Sequence, residues 1–218
     1  MRRKIFLAAF LSALIFAATA FAAEDYYRDY DWICDYEFPA TPLVHCIDQK
    51  GDFEHNIYYF AAGSNRCIVV LCHGFNDNNG FGILMHGQFR HDYASAVSES
   101  LAYWTRQGKM RNAGNFNYVF MNACHTGYAQ PSVNLPVYNV SLVRAIDYKG
   151  VTGFSEKAYA NGQVMIKLYR VVPKNGIASR ANSQLSDFLR NNNVRGYRSV
   201  GSRSSTRPEG VQILAGEL

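Results

Sequence analysis

Two short, uninterrupted apolar segments, residues 67–72 and 118–121, most constrain how this chain can fold. Both are rich in β-branched or aromatic residues, which favours strands that are buried on both faces of a sheet. Between them, residues 90–106 place apolar side chains at helical spacing, at Tyr93, Val97, Leu101 and Trp104. A strand, a helix and a second strand in this order predict a βαβ unit with parallel strands and a right-handed crossover.

Shorter patterns predict the rest of the chain. Residues 75–87 are rich in glycine and asparagine and are expected to form a loop. The alternation of strands and helices is typical of the α/β class. The remaining expected elements are strands at residues 56–61, 140–146 and 211–214 and helices at residues 155–172 and 178–191.

The composition excludes two broad classes of protein. Of the 218 residues, 48% are hydrophobic and 18% are charged, which is too apolar and too weakly charged for a disordered chain. The net charge is +5, but residues 2–4 supply three of the basic side chains, and without them 19 basic residues face 17 acidic ones. So small a positive excess argues against a nucleic-acid-binding protein, and no nucleic acid is expected as a partner.

The first 22 residues have the layout of a secretory signal peptide. Residues 2–4 are basic, residues 5–16 are apolar apart from Ser12, and Ala20-Phe21-Ala22 places small residues where signal peptidase cleaves. Cleavage after Ala22 is expected to release a secreted or periplasmic protein that is no longer attached to a membrane. The alternative is an uncleaved anchor, for which the apolar stretch is marginal in length.

Five cysteines remain after that cleavage, so at least one thiol is unpaired within the chain. In an oxidising compartment, disulfide bonds are expected among the others. Cys34 and Cys46 could close a small loop. Cys67 and Cys72 are five residues apart on one predicted strand, and an odd separation directs their side chains to opposite faces, which disfavours a bond between them.

Two residues suited to nucleophilic catalysis follow the two main strands. His73 and Gly74 come directly after the first strand, and Cys124 comes shortly after the second. Parallel strands end at one edge of a sheet, where α/β proteins hold their sites, so His73 and Cys124 are expected at the same edge. An imidazole beside a cysteine lowers the pKa of the thiol and later protonates the leaving amine. Small neighbouring residues let a scissile carbonyl approach backbone donors.

The combination of an apolar strand, His73-Gly74, a second apolar strand and Ala-Cys-His-Thr-Gly resembles the caspase-like cysteine peptidases. That group includes caspases, metacaspases, legumain, clostripain and the gingipains, and the resemblance covers roughly residues 57–189. It implies a three-layer α/β sandwich with a mostly parallel central sheet. It also implies that Cys124 is the nucleophile, that His73 is the general base and acid, and that the amides of Gly74 and Cys124 form the oxyanion hole.

The same resemblance implies where a protein or peptide substrate would bind. Asn122 stands where metacaspases carry an acid that selects a basic substrate residue. Asp147 and Tyr148 begin the loop after the third predicted strand, a segment that walls the substrate cleft in that family. These three residues are therefore expected to contact the substrate.

The predicted activity is that of an exported cysteine endopeptidase that works through a thioester acyl-enzyme. No metal and no cofactor are expected, and the sequence does not predict the oligomeric state. The predicted organisation is a signal peptide at residues 1–22, an irregular N-terminal segment at residues 23–55, a caspase-like peptidase domain at residues 56–198 and a polar C-terminal tail at residues 199–218.

Other functions are compatible with the sequence. A non-catalytic domain of the same fold would serve as a binding module, and oxidation of Cys124 into a disulfide would have the same result. A serine hydrolase of the α/β-hydrolase type is suggested by the strand that ends in His73-Gly74, but the chain has no Gly-x-Ser-x-Gly motif. A metal site at His73 and His125 is disfavoured because no carboxylate joins them at ligand spacing.

Overall fold

The computed structural model describes residues 30–110, 116–129, 132–135, 141–144, 150–159, 161–174 and 184–214. The predicted signal peptide and two of the predicted substrate contacts, Asp147 and Tyr148, lie outside these ranges. Within the described ranges, no helix is long and apolar enough to cross a membrane.

Most of the described chain is β-strand. The strands are β1 (Tyr30–Ile47), β2 (Phe53–Ala62), β3 (Asn65–Asp77), β4 (Gly80–Met85), β5 (Gln88–Arg90), β6 (Tyr118–Asn122), β7 (Ser132–Asn134), β8 (Ser141–Arg144), β9 (Thr152–Ala158), β10 (Val164–Pro173), β11 (Arg198–Ser204) and β12 (Gln212–Ile213). The α-helices among these residues are α1 (Tyr93–Arg106) and α2 (Gln184–Asn191).

The strands form one curled, half-barrel sheet in the order β12-β9-β10-β1-β2-β3-β6-β8-β7, with β11 beside β1 and the β4–β5 hairpin beside β3. Only β3 with β6 and β6 with β8 pair in parallel among the described strands. All other described pairs are antiparallel. The predicted three-layer sandwich with a mostly parallel central sheet is therefore wrong.

The centre of the sheet does contain the predicted strand–helix–strand unit. β3 and β6 are parallel neighbours, α1 lies between them in sequence, and the two helices contribute to cores on opposite faces of β3. The α1-side core includes Ile68, Val70, Cys72, Val97 and Leu101. The α2-side core includes Val69, Leu71, Phe120, Leu185 and Leu189. This unit is the part of the fold that positions the candidate site.

Residues 30–47 form one long strand, which corrects the expectation of an irregular chain for this part of residues 23–55. β1 extends for 18 residues, and it pairs with β10 and β11 in its first part and with β2 in its last part. Pro39 and Pro42 conceal the strand in the sequence, because proline lacks the N–H that a sheet interior uses. Register shifts next to Cys34 and Pro42 also interrupt the side-chain alternation. β1 thereby joins the antiparallel part of the sheet to the parallel part.

The helix predicted over residues 155–172 is also wrong, because this region forms the β9–β10 hairpin. The turn contains Asn161 and Gly162, and Gly162 adopts a φ of 76°, which favours glycine. Asn-Gly beside alternating apolar residues is a strong hairpin signal. Every second side chain at the start of β10 joins the α2-side core, at Val164, Ile166 and Leu168.

Two further segments are strands rather than loop or tail. The loop expected at residues 75–87 instead holds the end of β3 and all of β4. The Asn79 N–H donates to the Asp77 carboxylate over 2.8 Å in the turn between them. Residues 199–204, expected to belong to a polar tail, contribute most of β11 beside β1. The short strand expected at residues 211–214 is confirmed as β12, which pairs with β9. The C-terminal part of the chain is therefore integral to the sheet.

Candidate active site

His73 and Cys124 come together just beyond the point where the parallel pairing of β3 with β6 ends. β3 was expected to end before His73, but it continues to Asp77 and pairs there with β4. Leu71 is opposite Asn122 in the parallel register, and His73 and Cys124 each follow two residues later. Cys124 belongs to the α2-side core, and alternation along β3 places His73 on the same face as Leu71. The backbones touch there, since a Cβ atom on Gly74 would lie 2.9 Å from the Cys124 nitrogen.

The His73 imidazole is oriented by the neighbouring strand β2. Its Nε2 atom lies 2.8 Å from the carbonyl oxygen of Phe53. Because a carbonyl oxygen only accepts, Nε2 carries the proton of the neutral ring and Nδ1 keeps its lone pair. The Nδ1 atom is buried and has no hydrogen-bond partner. An oriented ring nitrogen with a free lone pair is what a general base requires.

The Cys124 thiol is enclosed. Cys124 is fully buried, at 0% exposure. The Thr152 N–H donates to Sγ over 3.0 Å, and the thiol donates in turn to the Thr152 carbonyl oxygen at 3.6 Å. Burial raises the pKa of the Cys124 thiol to about 12, although the hydrogen bonds from Thr152 act in the opposite direction. In this arrangement the thiol is protonated at neutral pH, and its described hydrogen bonds are to Thr152 rather than to His73.

The Gly74 amide, expected as an oxyanion-hole donor, binds a carbonyl from the C-terminal segment. The Gly74 N–H donates to the Leu214 carbonyl oxygen over 2.9 Å, and the Leu214 N–H donates to the Thr152 carbonyl oxygen over 2.9 Å. The Leu214 side chain is 0% exposed and belongs to the same core as Cys124. A peptide carbonyl of this chain thus fills the place where the resemblance puts the carbonyl of a substrate.

Unpaired buried polar atoms are concentrated at this strand edge. Of five such side-chain atoms in the described residues, four belong to His73, Asn122 and His125. Asn122 is 0% exposed, and neither its amide nitrogen nor its amide oxygen has a partner. Burial also lowers the pKa of His125. Because buried polar groups are nearly always hydrogen-bonded, this concentration indicates a place where water or a ligand binds.

The two motifs do not reveal three other residues of the site. Phe53, Thr152 and Leu214 reach it from β2, β9 and the residue after β12. No local pattern in the sequence marks them, since only the pairing of strands distant in sequence brings them to His73 and Cys124. Of the three expected substrate contacts, Asn122 alone lies in the described part of the chain.

None of the five cysteines forms a disulfide. Cys34 and Cys46 both lie on β1, and twelve residues of strand separate them by roughly 40 Å, far beyond the reach of a disulfide. The proposed loop between them is therefore wrong. Cys67 lies in the α2-side core and Cys72 in the α1-side core, as their odd separation predicts.

A second group of side chains has the composition of a metal site. The ligand atoms of Cys46, Glu54 and His55 lie within 4.8 Å of one another. Cys46 Sγ donates to Glu54 Oε2 over 3.0 Å and the Trp104 indole N–H donates to His55 Nε2 over 3.0 Å, whereas His55 Nδ1 is buried without a hydrogen-bond partner. The second bond leaves the proton of the neutral His55 ring on Nδ1, the atom a metal would need. The group therefore fits a hydrogen-bond network better than a metal site.

A scan of protein-family models, a search of curated proteins and a search of solved structures each found no match to this chain. The likeness to caspase-like peptidases consequently depends on the two short motifs alone.

Proposed function

We propose that this protein is an exported cysteine endopeptidase in which Cys124 is the nucleophile and His73 the general base, and that the arrangement described above is its latent state. One observation carries the proposal: the Gly74 N–H binds a peptide carbonyl, that of Leu214, directly beside Cys124. The proposal depends on the site rather than on the overall fold, because the same catalytic groups occur on unrelated folds.

The catalytic cycle uses five residues of the site. Cys124 Sγ leaves Thr152 and gives its proton to His73 Nδ1, while the Phe53 carbonyl keeps accepting from Nε2–H. The thiolate attacks the scissile carbonyl carbon, and the oxyanion accepts a hydrogen bond from the Gly74 N–H. The imidazolium then protonates the leaving nitrogen, the C–N bond breaks and a thioester remains. His73 next takes a proton from water, whose oxygen attacks the thioester and releases the carboxylic acid product and the thiol.

The raised thiol pKa defines what activation must accomplish. With a pKa of about 12, Cys124 supplies almost no thiolate at neutral pH in the latent state. Displacing Leu214 and turning Sγ away from Thr152 would hydrate the thiol, which removes the main cause of the shift. Contact with the His73 imidazolium would then stabilise the thiolate further.

A non-catalytic binding domain is the second candidate, and the burial of Cys124 favours it. A thiol that never opens to solvent behaves as a small apolar core residue. In that case the unpaired polar atoms of Asn122 and His125 would belong to a ligand site without chemistry.

Alkylation of the intact mature protein separates these two functions. Iodoacetamide is added at pH 5 to 9, and the reaction of each cysteine is followed by peptide mass spectrometry. Cys72 is a matched internal control, because it is as buried as Cys124 and adjacent to His73 in sequence but faces the α1-side core. Brief openings that displace Leu214 would expose Cys124 beside His73, whereas Cys72 stays in the α1-side core. We therefore expect Cys124 to react at least ~10-fold faster than Cys72 at pH 6, and His73→Ala to abolish the difference.

A Cys124 that reacts no faster than Cys72, with no effect of His73→Ala, would contradict the peptidase function and leave the binding domain. Turnover is tested with a diverse peptide library and product analysis by mass spectrometry. Cleavage is expected to be lost in Cys124→Ser and retained in Cys72→Ala.

A further inference from the structure

We propose that residues 211–214 occupy the substrate cleft as an intramolecular ligand, and that the cleft takes extended peptides with leucine immediately before the scissile bond. This inference rests on the proposed peptidase function and adds its substrate class. Three features of residues 211–214 support it: their backbone pairing with β9, their close approach to Gly153 and the burial of the Leu214 side chain.

The segment binds as an added strand. Gln212 is opposite Phe154 and Ile213 is opposite Gly153 in the antiparallel pairing of β12 with β9. The pairing continues one residue further, where the Leu214 N–H donates to the Thr152 carbonyl oxygen. Main-chain hydrogen bonds of this kind bind an extended peptide largely independently of its sequence. A substrate would take the same edge of β9.

Gly153 provides the room for this close-lying strand. A Cβ atom there would lie 2.8 Å from the Gln212 carbonyl oxygen and 2.9 Å from Val211 Cγ1. Gly153 is not among the residues with a positive φ, so the need for glycine is one of space rather than of backbone conformation. This part of β9 is therefore shaped for a peptide backbone that lies directly on it.

Leu214 takes the position of the residue that would form the acyl-enzyme. Its carbonyl oxygen accepts from the Gly74 N–H, which is the proposed oxyanion donor next to Cys124. Its side chain is fully buried in the α2-side core, to which Phe154 and Cys124 also belong. An unpaired charged side chain would be costly in these surroundings, whereas leucine is accommodated.

The segment is anchored upstream of the cleft. The Arg207 guanidinium donates two hydrogen bonds to the Val211 carbonyl oxygen and lies over the Trp32 ring at 6.0 Å. A tethered ligand has an effective concentration in the millimolar range, so free peptides compete with it poorly. The anchor thereby accounts for a closed cleft in the intact chain.

The first test compares two leucine variants of the full chain. Leu214 and Leu185 are both fully buried in the α2-side core, but only Leu214 lies at the cleft. We expect Leu214→Ala to accelerate Cys124 alkylation at pH 7 by at least ~10-fold, because it weakens the closed arrangement, and Leu185→Ala to leave the rate unchanged. Arg207→Met, which removes only the anchor, is also expected to accelerate the alkylation of Cys124. It replaces Leu214→Ala in this test if that variant does not fold.

The second test supplies the segment as a separate molecule. Acetyl-Val-Gln-Ile-Leu-amide, which copies residues 211–214, is expected to slow the alkylation of Cys124 in Leu214→Ala. The same peptide ending in lysine or aspartate is expected to give no protection. The anilide of the leucine peptide is expected to be hydrolysed.

The outcomes distinguish this inference from the proposed function. Unchanged alkylation in Leu214→Ala and Arg207→Met, or equal protection by the leucine and lysine peptides, would overturn the inference while His73-dependent reactivity of Cys124 could still stand. Acceleration that does not depend on His73 would instead remove the peptidase function and, with it, the substrate assignment.

Discussion

Gly74 lies so close to Cys124 that a Cβ atom at Gly74 would be 2.1 Å from the Cys124 carbonyl oxygen. The overlap is with backbone, so it is relieved only by moving β3 away from the chain that follows β6. We expect Gly74→Ala to lower the free energy of unfolding by about 3 kcal/mol, at the upper end of overpacking costs, as measured by urea denaturation. Gly150→Ala is the control, since nothing lies within 4 Å of its Cβ position, and a change below about 0.5 kcal/mol is expected. Equal effects of the two variants would contradict the close approach.

Arg170 neutralises Asp35 where β1 and β10 pair. Arg170 Nε lies 2.9 Å and 3.0 Å from the two carboxylate oxygens, and the side chains are only 12% and 8% exposed. Arg170→Met removes this partner of a buried charge and is expected to cost about 3–5 kcal/mol in thermal or urea unfolding. The double variant Asp35→Leu/Arg170→Met is expected to recover most of that loss.

The matched control for this pair is Arg190→Met. Its ion pair with Asp187 is more than half exposed on both sides, so we expect a loss below about 1 kcal/mol. A double variant no more stable than Arg170→Met would show that the cost lies in lost packing rather than in the loss of Arg170 beside the Asp35 carboxylate.

Stability is expected to depend on pH through His55. Burial lowers the pKa of His55 to about 4, although the nearby Glu54 carboxylate raises it. In the unfolded chain a histidine has a pKa of about 6.5, so the unfolded state binds more protons between these two values. The contribution of His55 is therefore complete above pH ~6.5 and is lost as the pH falls towards 4, by at most roughly 3 kcal/mol.

Melting temperatures measured from pH 7 to pH 4 test this dependence. In His55→Gln the decline should be shallower, because glutamine does not titrate and can still accept from the Trp104 indole. His45→Gln, at an exposed position, should retain the full decline. Parallel curves for the two variants would exclude His55 as the source.

All five cysteines are expected to be free thiols in the folded protein. Burial raises the pKa of Cys34 to about 11 and that of Cys67 to about 12, so both should react slowly with a disulfide reagent such as DTNB at pH 7. Denaturation in urea without a reductant should release five reactive thiols per chain. A count of three, or a peptide that joins Cys34 to Cys46, would contradict the strand geometry of β1.

The centre of the sheet and the meeting of His73 with Cys124 could be predicted because their signals are local. Residues 67–72 and 118–121 are apolar without interruption, and the amphipathic helix between them allows few arrangements other than parallel strands. Once the strands are parallel, the residues that follow their paired segments share one edge, even though β3 itself continues to Asp77. The placement of His73 beside Cys124 therefore follows from the chain direction of two strands.

The rest could not be predicted because it depends on pairings between distant segments. Thr152 and Leu214, which enclose the thiol, reach Cys124 only through the pairing of β9 and β12. β1 was concealed by its prolines and register shifts, and without β1 nothing in the sequence indicates that an antiparallel half exists. The β9–β10 hairpin is different, because Asn161 and Gly162 are a local signal for a turn. The helix predicted over residues 155–172 gives more weight to the apolar residues on either side of that turn.

The position of β1 has a consequence for how the protein is made. The first part of β1 is synthesised well before its partners β10 and β11, which follow it by more than 100 residues of chain. Until then, Trp32, Tyr36 and Phe38 have no complete core to enter. Contacts between segments so distant in sequence are slow to form and leave apolar strands open to aggregation in the meantime. Closure of this half of the sheet is thus a step that begins only once β10 has been synthesised. A nascent chain stalled before β10 would expose β1 as a strand without these partners.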